Sequence, residues 1–161
     1  MKTAAVLGVV VLLAASSVSA QGSNAGSGWR AGVSLGGIST VGLTFEAFRD
    51  AQSIEVTLGT FGFRDLGVAV AGKHYFGERA GKPYVGLGLW AIIASNDPRN
   101  GLGLIARVPL GLDWNVKGRH AVGVEVAVNR ALTVRRPDPD DERELNKRLV
   151  PLPGVYYRYT P

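Results

Sequence analysis

The chain has no cysteine, so neither a disulfide framework nor thiolate chemistry is open to it. After the N-terminal region it has no run of about twenty apolar residues, which excludes membrane-spanning helices. Helical periodicity is nearly missing as well. Only "DDERELNKRL", residues 140–149, could form a short helix. Histidine is scarce, with His74 and His120 alone. Acidic residues are outnumbered 13 to 18, giving a net charge of +5. The basic residues are scattered along the chain rather than massed in a patch, which argues against a nucleic-acid partner.

Catalytic and cofactor patterns are also wanting. "GLGLIA" at 101–106 matches a dinucleotide fingerprint only on paper, because the segment after it reads as strand and not helix. Ser95 and Asp97 fall at the rim opposite both histidines, so no Ser/His/acid set assembles. "DPDD" at 138–141 lacks the spacing of a calcium loop. The reading is therefore of a protein that is not an enzyme and takes no metal or cofactor.

What is present is organised by position. Residues 1–20, "MKTAAVLGVVVLLAASSVSA", carry Lys2, a short apolar run and a Val18-Ser19-Ala20 cleavage site, the anatomy of a secretory signal peptide. Its removal takes Lys2 with it and lowers the net charge to +4. Gln21 in place of cysteine argues against a lipid-anchored lipoprotein. Residues 21–28, "QGSNAGSG", read as a flexible lead-in to a domain over 29–161. Eight alternating segments come next, at 29–36, 38–48, 53–61, 65–76, 83–93, 101–114, 120–134 and 153–160, separated by turn chemistry. One connection is long, the charged and proline-bearing 135–152.

A period of two gives each strand two faces. In residues 101–116, "GLGLIARVPLGLDWNV", one phase is Leu102, Leu104, Ala106, Val108, Leu110, Leu112 and Trp114. The other contains the glycines, Arg107 and Asp113. The other strands divide similarly, with Val and Leu in one phase and Gly and Ala in the other. A solvated sheet face would be Thr, Lys, Gln and Glu, because glycine weakens a strand and packs nothing. Small residues suit a narrow barrel whose opposite walls lie close together. Eight charges punctuate the small phase: Arg30, Glu46, Glu55, Lys73, Arg107, Asp113, Glu125 and Arg158. Four are positive and four negative, as a buried lumen network requires. Folding about the turns sets Arg30 opposite Glu46, Glu46 beside Glu55, Glu55 near Lys73, and Arg107 close to Glu125. The apolar phase is then expected to face lipid. Trp29, Phe45, Phe76, Trp114 and Tyr159 lie in that phase and are expected at one rim, as an interfacial aromatic girdle.

These features together resemble the small eight-stranded outer-membrane barrels, the OmpA transmembrane domain and the OmpX/OmpW-like group. The resemblance covers residues 29–160 and ends on the strand "GVYYRYTP". Members usually end on an aromatic residue, whereas Thr160 and Pro161 come after Tyr159 here. Pro109 is a second departure, and in a closed barrel it is expected to mark a bulge or kink. The expected fold is all-β, an eight-stranded antiparallel up-and-down transmembrane β-barrel. The expected role is non-enzymatic, serving envelope integrity or surface interaction with a side-chain-filled lumen. The implied partners are outer-membrane lipid and the barrel-insertion machinery, and the expected state is a monomer in the cell outer membrane. A narrow pore or small-molecule conduit is the alternative. A secreted lipocalin-like barrel would need the two phases exchanged. With both termini periplasmic, 135–152 faces outward and could touch an extracellular or envelope partner.

Overall fold

The computed structural model describes residues 26–61, 65–77, 81–96, 99–135 and 148–161. The expected signal peptide, residues 21–25 of the lead-in, Asp97, and the possible calcium loop and helix between 136 and 147 lie outside the described residues. Eight strands run in chain order: β1 (Ser27–Gly36), β2 (Ser39–Arg49), β3 (Gln52–Phe61), β4 (Asp65–Tyr75), β5 (Gly81–Asn96), β6 (Arg99–Lys117), β7 (His120–Arg135) and β8 (Val150–Tyr159). Each pairs antiparallel with the next and β8 closes on β1. The fold is an all-β, closed, up-and-down eight-stranded barrel.

One row of paired residues runs Arg30, Glu46, Glu55, Ala71, Gly88, Arg107, Asn129, Val150. It starts near the beginning of β1, at one rim, and ends at Val150, the first residue of β8, at the other. Each strand is therefore staggered on its neighbour, as closure of a tilted sheet demands. The two open ends are distinct. The termini rim holds the start of β1, the end of β8 and the turns after β2, β4 and β6. The long-loop rim holds the connections after β1, β3, β5 and β7.

Several boundaries differ from the sequence reading, for identifiable reasons. Ser27 and Gly28 belong to β1 rather than to a lead-in, paired with Arg49 and Phe48. The Phe48 ring covers Gly28, whose absent Cβ would sit 2.8 Å from it. The β5–β6 hairpin continues through Ser95–Asn100 and Asn96–Arg99 into what read as a turn, because ladder hydrogen bonds do not require apolar side chains. The long connection shortens at both ends, with Arg135 in β7 and Val150 to Leu152 in β8. Pro151 and Pro153 fit within β8 because β1 pairs with it only from Gly154 to Tyr159. The Pro153 carbonyl accepts from Gly37 N–H at 2.7 Å, so the proline nitrogen faces a neighbour that has already ended.

Pro109 does not mark a bulge. Pairing between β5 and β6 lapses between Val85–Leu110 and Gly88–Arg107, then resumes in the same register. The missing N–H is absorbed as a gap, and the proline ring points inward, fully buried. Gly86 makes room for it, since a Cβ there would lie 2.8 Å from the ring. The true irregularities are at Leu35/Gly36 and, along β6–β7, at Leu104/Ile105 and Asn115/Lys117.

Candidate functional site in the barrel lumen

All eight charged residues of the small phase point into the barrel and form one connected network. Arg107 pairs with Glu125, which also lies 3.3 Å from Lys73 Nζ. Lys73 reaches Glu55 at 2.8 Å, and Glu55 pairs with Arg158. Arg158 lies 3.1 Å from Asp113 and 3.3 Å from Glu46. Arg30 closes the chain, 2.7 Å from Glu46 and 2.6 Å from Asp113. Four cations thus neutralise four carboxylates. Arg158 and Glu46 are the largest fully buried charged side chains, each 1 % exposed. At that depth an unpaired ion would cost several kcal/mol, so each partner is needed.

The register explains how these contacts arise. Arg30 faces Glu46 directly, and Glu46 faces Glu55. Lys73 and Glu55 are diagonal neighbours, because Lys73 pairs with Ser53 and Glu55 with Ala71. Arg107 pairs with Asn129 and Glu125 with Gly111, so the guanidinium reaches along the barrel axis. Arg158 contacts three carboxylates on three other strands, which no pairwise folding of adjacent strands would bring together.

Sequence reasoning missed four aromatic side chains that share this interior: Tyr75, Tyr84, Trp90 and Tyr156, all buried. Tyr75 donates to Glu46 at 2.6 Å and accepts from Arg30 at 2.7 Å. Tyr84 donates to Glu125 at 2.8 Å. The Arg158 guanidinium stacks 3.7 Å from the Tyr156 ring centroid, and Lys73 Nζ lies 4.6 Å from that of Tyr84. The signal was legible. Each aromatic shares its parity with an inward neighbour: Tyr75 with Lys73, Tyr84 and Trp90 with Gly86 and Gly88, Tyr156 with Arg158. The small residues are their counterpart, since Tyr84 lies over its cross-strand partner Gly111 and Tyr156 over Gly123.

Toward the long-loop rim the lumen changes character. The turn at Gly36 and Gly37, with φ of 78° and 69°, folds Ile38 into the barrel mouth. Left-handed conformations of this kind favour glycine. Ile38 is buried against Ala69 and Trp90, with Ile92, Ile105 and Leu152 around them. It was expected to open the second strand, and the structure instead makes it a stopper. Between stopper and network is a cavity of about 30 Å³, lined by Ser34, Thr44, Glu55, Arg107, Tyr156 and Arg158 among others. That is room for about one water molecule. Among the described residues, no group of three or more His, Asp or Glu side chains is arranged to hold a metal ion.

The outer surface is the apolar phase. Val33, Leu43, Leu58, Leu89, Leu110, Val124 and Val155 are all exposed on it. Trp29, Phe76, Trp114 and Tyr159 are exposed around the termini rim, and Phe45 sits deeper, four residues inside the end of β2. His120 accompanies them, 2.7 Å from the Tyr157 hydroxyl. His74 packs edge-on against Phe76. The outer face is not wholly uncharged, because Arg130 and Arg135 project from β7 near the long-loop rim. No family model, curated protein or solved structure matches the chain.

Proposed function

We propose that this protein is an integral outer-membrane β-barrel of the small eight-stranded kind, non-enzymatic, with a lumen closed by its own side chains. The observation that carries the reading is the inverted polarity: charges are buried and large apolar side chains cover the outside. In water such a surface would drive association. In a bilayer it is the stable arrangement, because closure satisfies the backbone and lipid solvates the belt. The height of the belt agrees. On β7 the outward valines 122, 124, 126 and 128 lie between His120 and Arg130. About ten residues at about 3.3 Å each, tilted by about 40°, rise about 25 Å. Outward apolar bands of membrane barrels are about 25 Å tall.

The closed lumen supports a role in envelope integrity or surface interaction rather than transport. A solute would have to displace the Ile38 stopper and then break a neutral network of eight ions. The same reading makes outer-membrane lipid and the barrel-insertion machinery the protein's partners and the monomer its working state. It also takes residues 1–20 as the export signal and places both termini on the periplasmic side. The connection after β7 then faces outward, where it would meet extracellular or envelope components.

Fractionation of expressing cells, followed by planar-bilayer recording of the purified protein, tests the reading. The protein should partition with outer membranes, need detergent for extraction and show no stepwise conductance. Reproducible single-channel steps would favour the narrow conduit. A folded protein soluble without detergent would overturn the membrane assignment.

A further inference from the structure

The carboxylate contacts of two lumen arginines run through their terminal nitrogens. Arg107 holds Glu125 through Nη2, and Arg158 holds Glu46, Asp113 and Glu55 through Nη1 and Nη2. Their Nε–H groups are left over. Among the described residues neither Nε has a hydrogen-bond partner, although Arg107 is only 3 % exposed and Arg158 1 %. Ser34 Oγ and Thr44 Oγ1 are buried and unpartnered in the same way. All four residues line the cavity of about 30 Å³ between the network and Ile38. A buried donor without an acceptor carries its full desolvation cost, and most such groups in folded proteins have a protein or water partner.

The acidic groups of the lining are already engaged. Glu55 and Glu125 line the same cavity, and each of their four oxygens contacts Lys73, Arg107, Arg158 or Tyr84. What stays open is two N–H groups that can only donate and two hydroxyls that can do either. Such a set offers a cation no free ligand. An anion would add net charge to four cations and four carboxylates that already cancel. A water molecule matches the space, which is room for about one. It also matches the valence, because its oxygen can accept from both Nε–H groups while its two hydrogens go to the hydroxyl oxygens.

We infer that this cavity is a binding site for one structural water, with Arg107 Nε and Arg158 Nε donating to it and Ser34 and Thr44 accepting from it. The water ties guanidinium groups of β6 and β8 to hydroxyls of β1 and β2, and so helps to fix the planes in which both arginines meet their carboxylates. The site lies inside the barrel and does not depend on what surrounds the outer face, so it goes beyond the role proposed above.

Water-selective nuclear Overhauser spectroscopy of the isotope-labelled, folded protein in neutral detergent tests this. The Nε–H protons of Arg107 and Arg158 should both show cross-peaks to water, with the sign given by a water that tumbles with the protein. Thr44→Val keeps the side-chain shape and removes the hydroxyl, and should weaken both cross-peaks at least about twofold, because a buried water with fewer partners is held less firmly. Thr44→Ser should keep them. Thr60→Val removes another buried, unpartnered hydroxyl that does not line the cavity, and should leave them unchanged. Missing cross-peaks in the wild-type protein, or Nε–H protons lost to rapid exchange with bulk water, overturn the inference. Equal weakening in Thr44→Val and Thr60→Val does the same. A shift of both Nε–H resonances when chloride replaces sulfate in the buffer would put a halide at the site and overturn the water. Fractionation and conductance are read separately, so the water site can fail while the proposed function stands, and a barrel soluble without detergent can be measured in the same way.

Discussion

The two halves of the lumen fill the same narrow space with opposite chemistry. Toward the termini rim the interior is a neutral network of eight ions braced by Tyr75, Tyr84 and Tyr156. Toward the long-loop rim it is Ile38, Ala69 and Trp90 with their apolar neighbours. The charged half is specific and brittle, since every ion depends on a partner on another strand and a lost partner leaves a buried charge. The apolar half is non-directional, so its contacts tolerate changes of shape that preserve volume.

The largest way to break this contrast is Arg158→Leu. Three carboxylates lose a cation at once, and the loss of stability should be about 3–5 kcal/mol, as for other buried pairs broken on one side. Urea unfolding midpoints in detergent would show it. A loss under about 1 kcal/mol, the range of exposed pairs, would mean that the network is hydrated and the halves do not differ.

The contrast inside presupposes a uniform apolar outside, which is tested next. Val126 lies midway along the β7 belt, so Val126→Arg should cost about 2–4 kcal/mol in a bilayer. Leu104 pairs with Thr133, just beyond the level of Arg130, so Leu104→Arg should cost only about 0–1 kcal/mol. Equal costs measured by folding into vesicles would show that the belt is not bounded where Arg130 suggests.

A smaller effect separates links within the charged half. Glu125 keeps Lys73 and Tyr84 when Arg107 is removed, so Arg107→Leu should cost less than Arg158→Leu. The double variant Arg107→Leu/Glu125→Leu should cost less than the sum of the two single changes, by about 0.5–3 kcal/mol. Strict additivity in the same unfolding assay would mean that the pair is not coupled.

Trp90→Phe should be the mildest change, below about 1.5 kcal/mol. It keeps most of the apolar volume and removes an indole N–H that has no protein hydrogen-bond partner. Near-ultraviolet circular dichroism together with unfolding midpoints would reveal a larger loss, which would make the apolar half as exacting as the charged one.

What the sequence by itself determined was local and periodic. Alternation in residues 101–116 and in the other seven segments is enough to establish strands and two faces. The polarity of those faces is enough to say that Leu110 points out and Arg107 points in. Short turns then bring Arg30 opposite Glu46 and Glu46 opposite Glu55, because a hairpin's register is set by its turn. Only the tertiary structure decided the rest. Closure of the staggered sheet is a property of all eight strands together, and it alone brings Glu46, Glu55 and Asp113 onto Arg158. Register between neighbouring strands places Tyr84 over Gly111 and Tyr156 over Gly123, and the Gly36–Gly37 turn folds Ile38 into the mouth. Period two reports which side of a strand a residue occupies. Which residues meet across the lumen depends on the stagger, to which no single strand's pattern is sensitive.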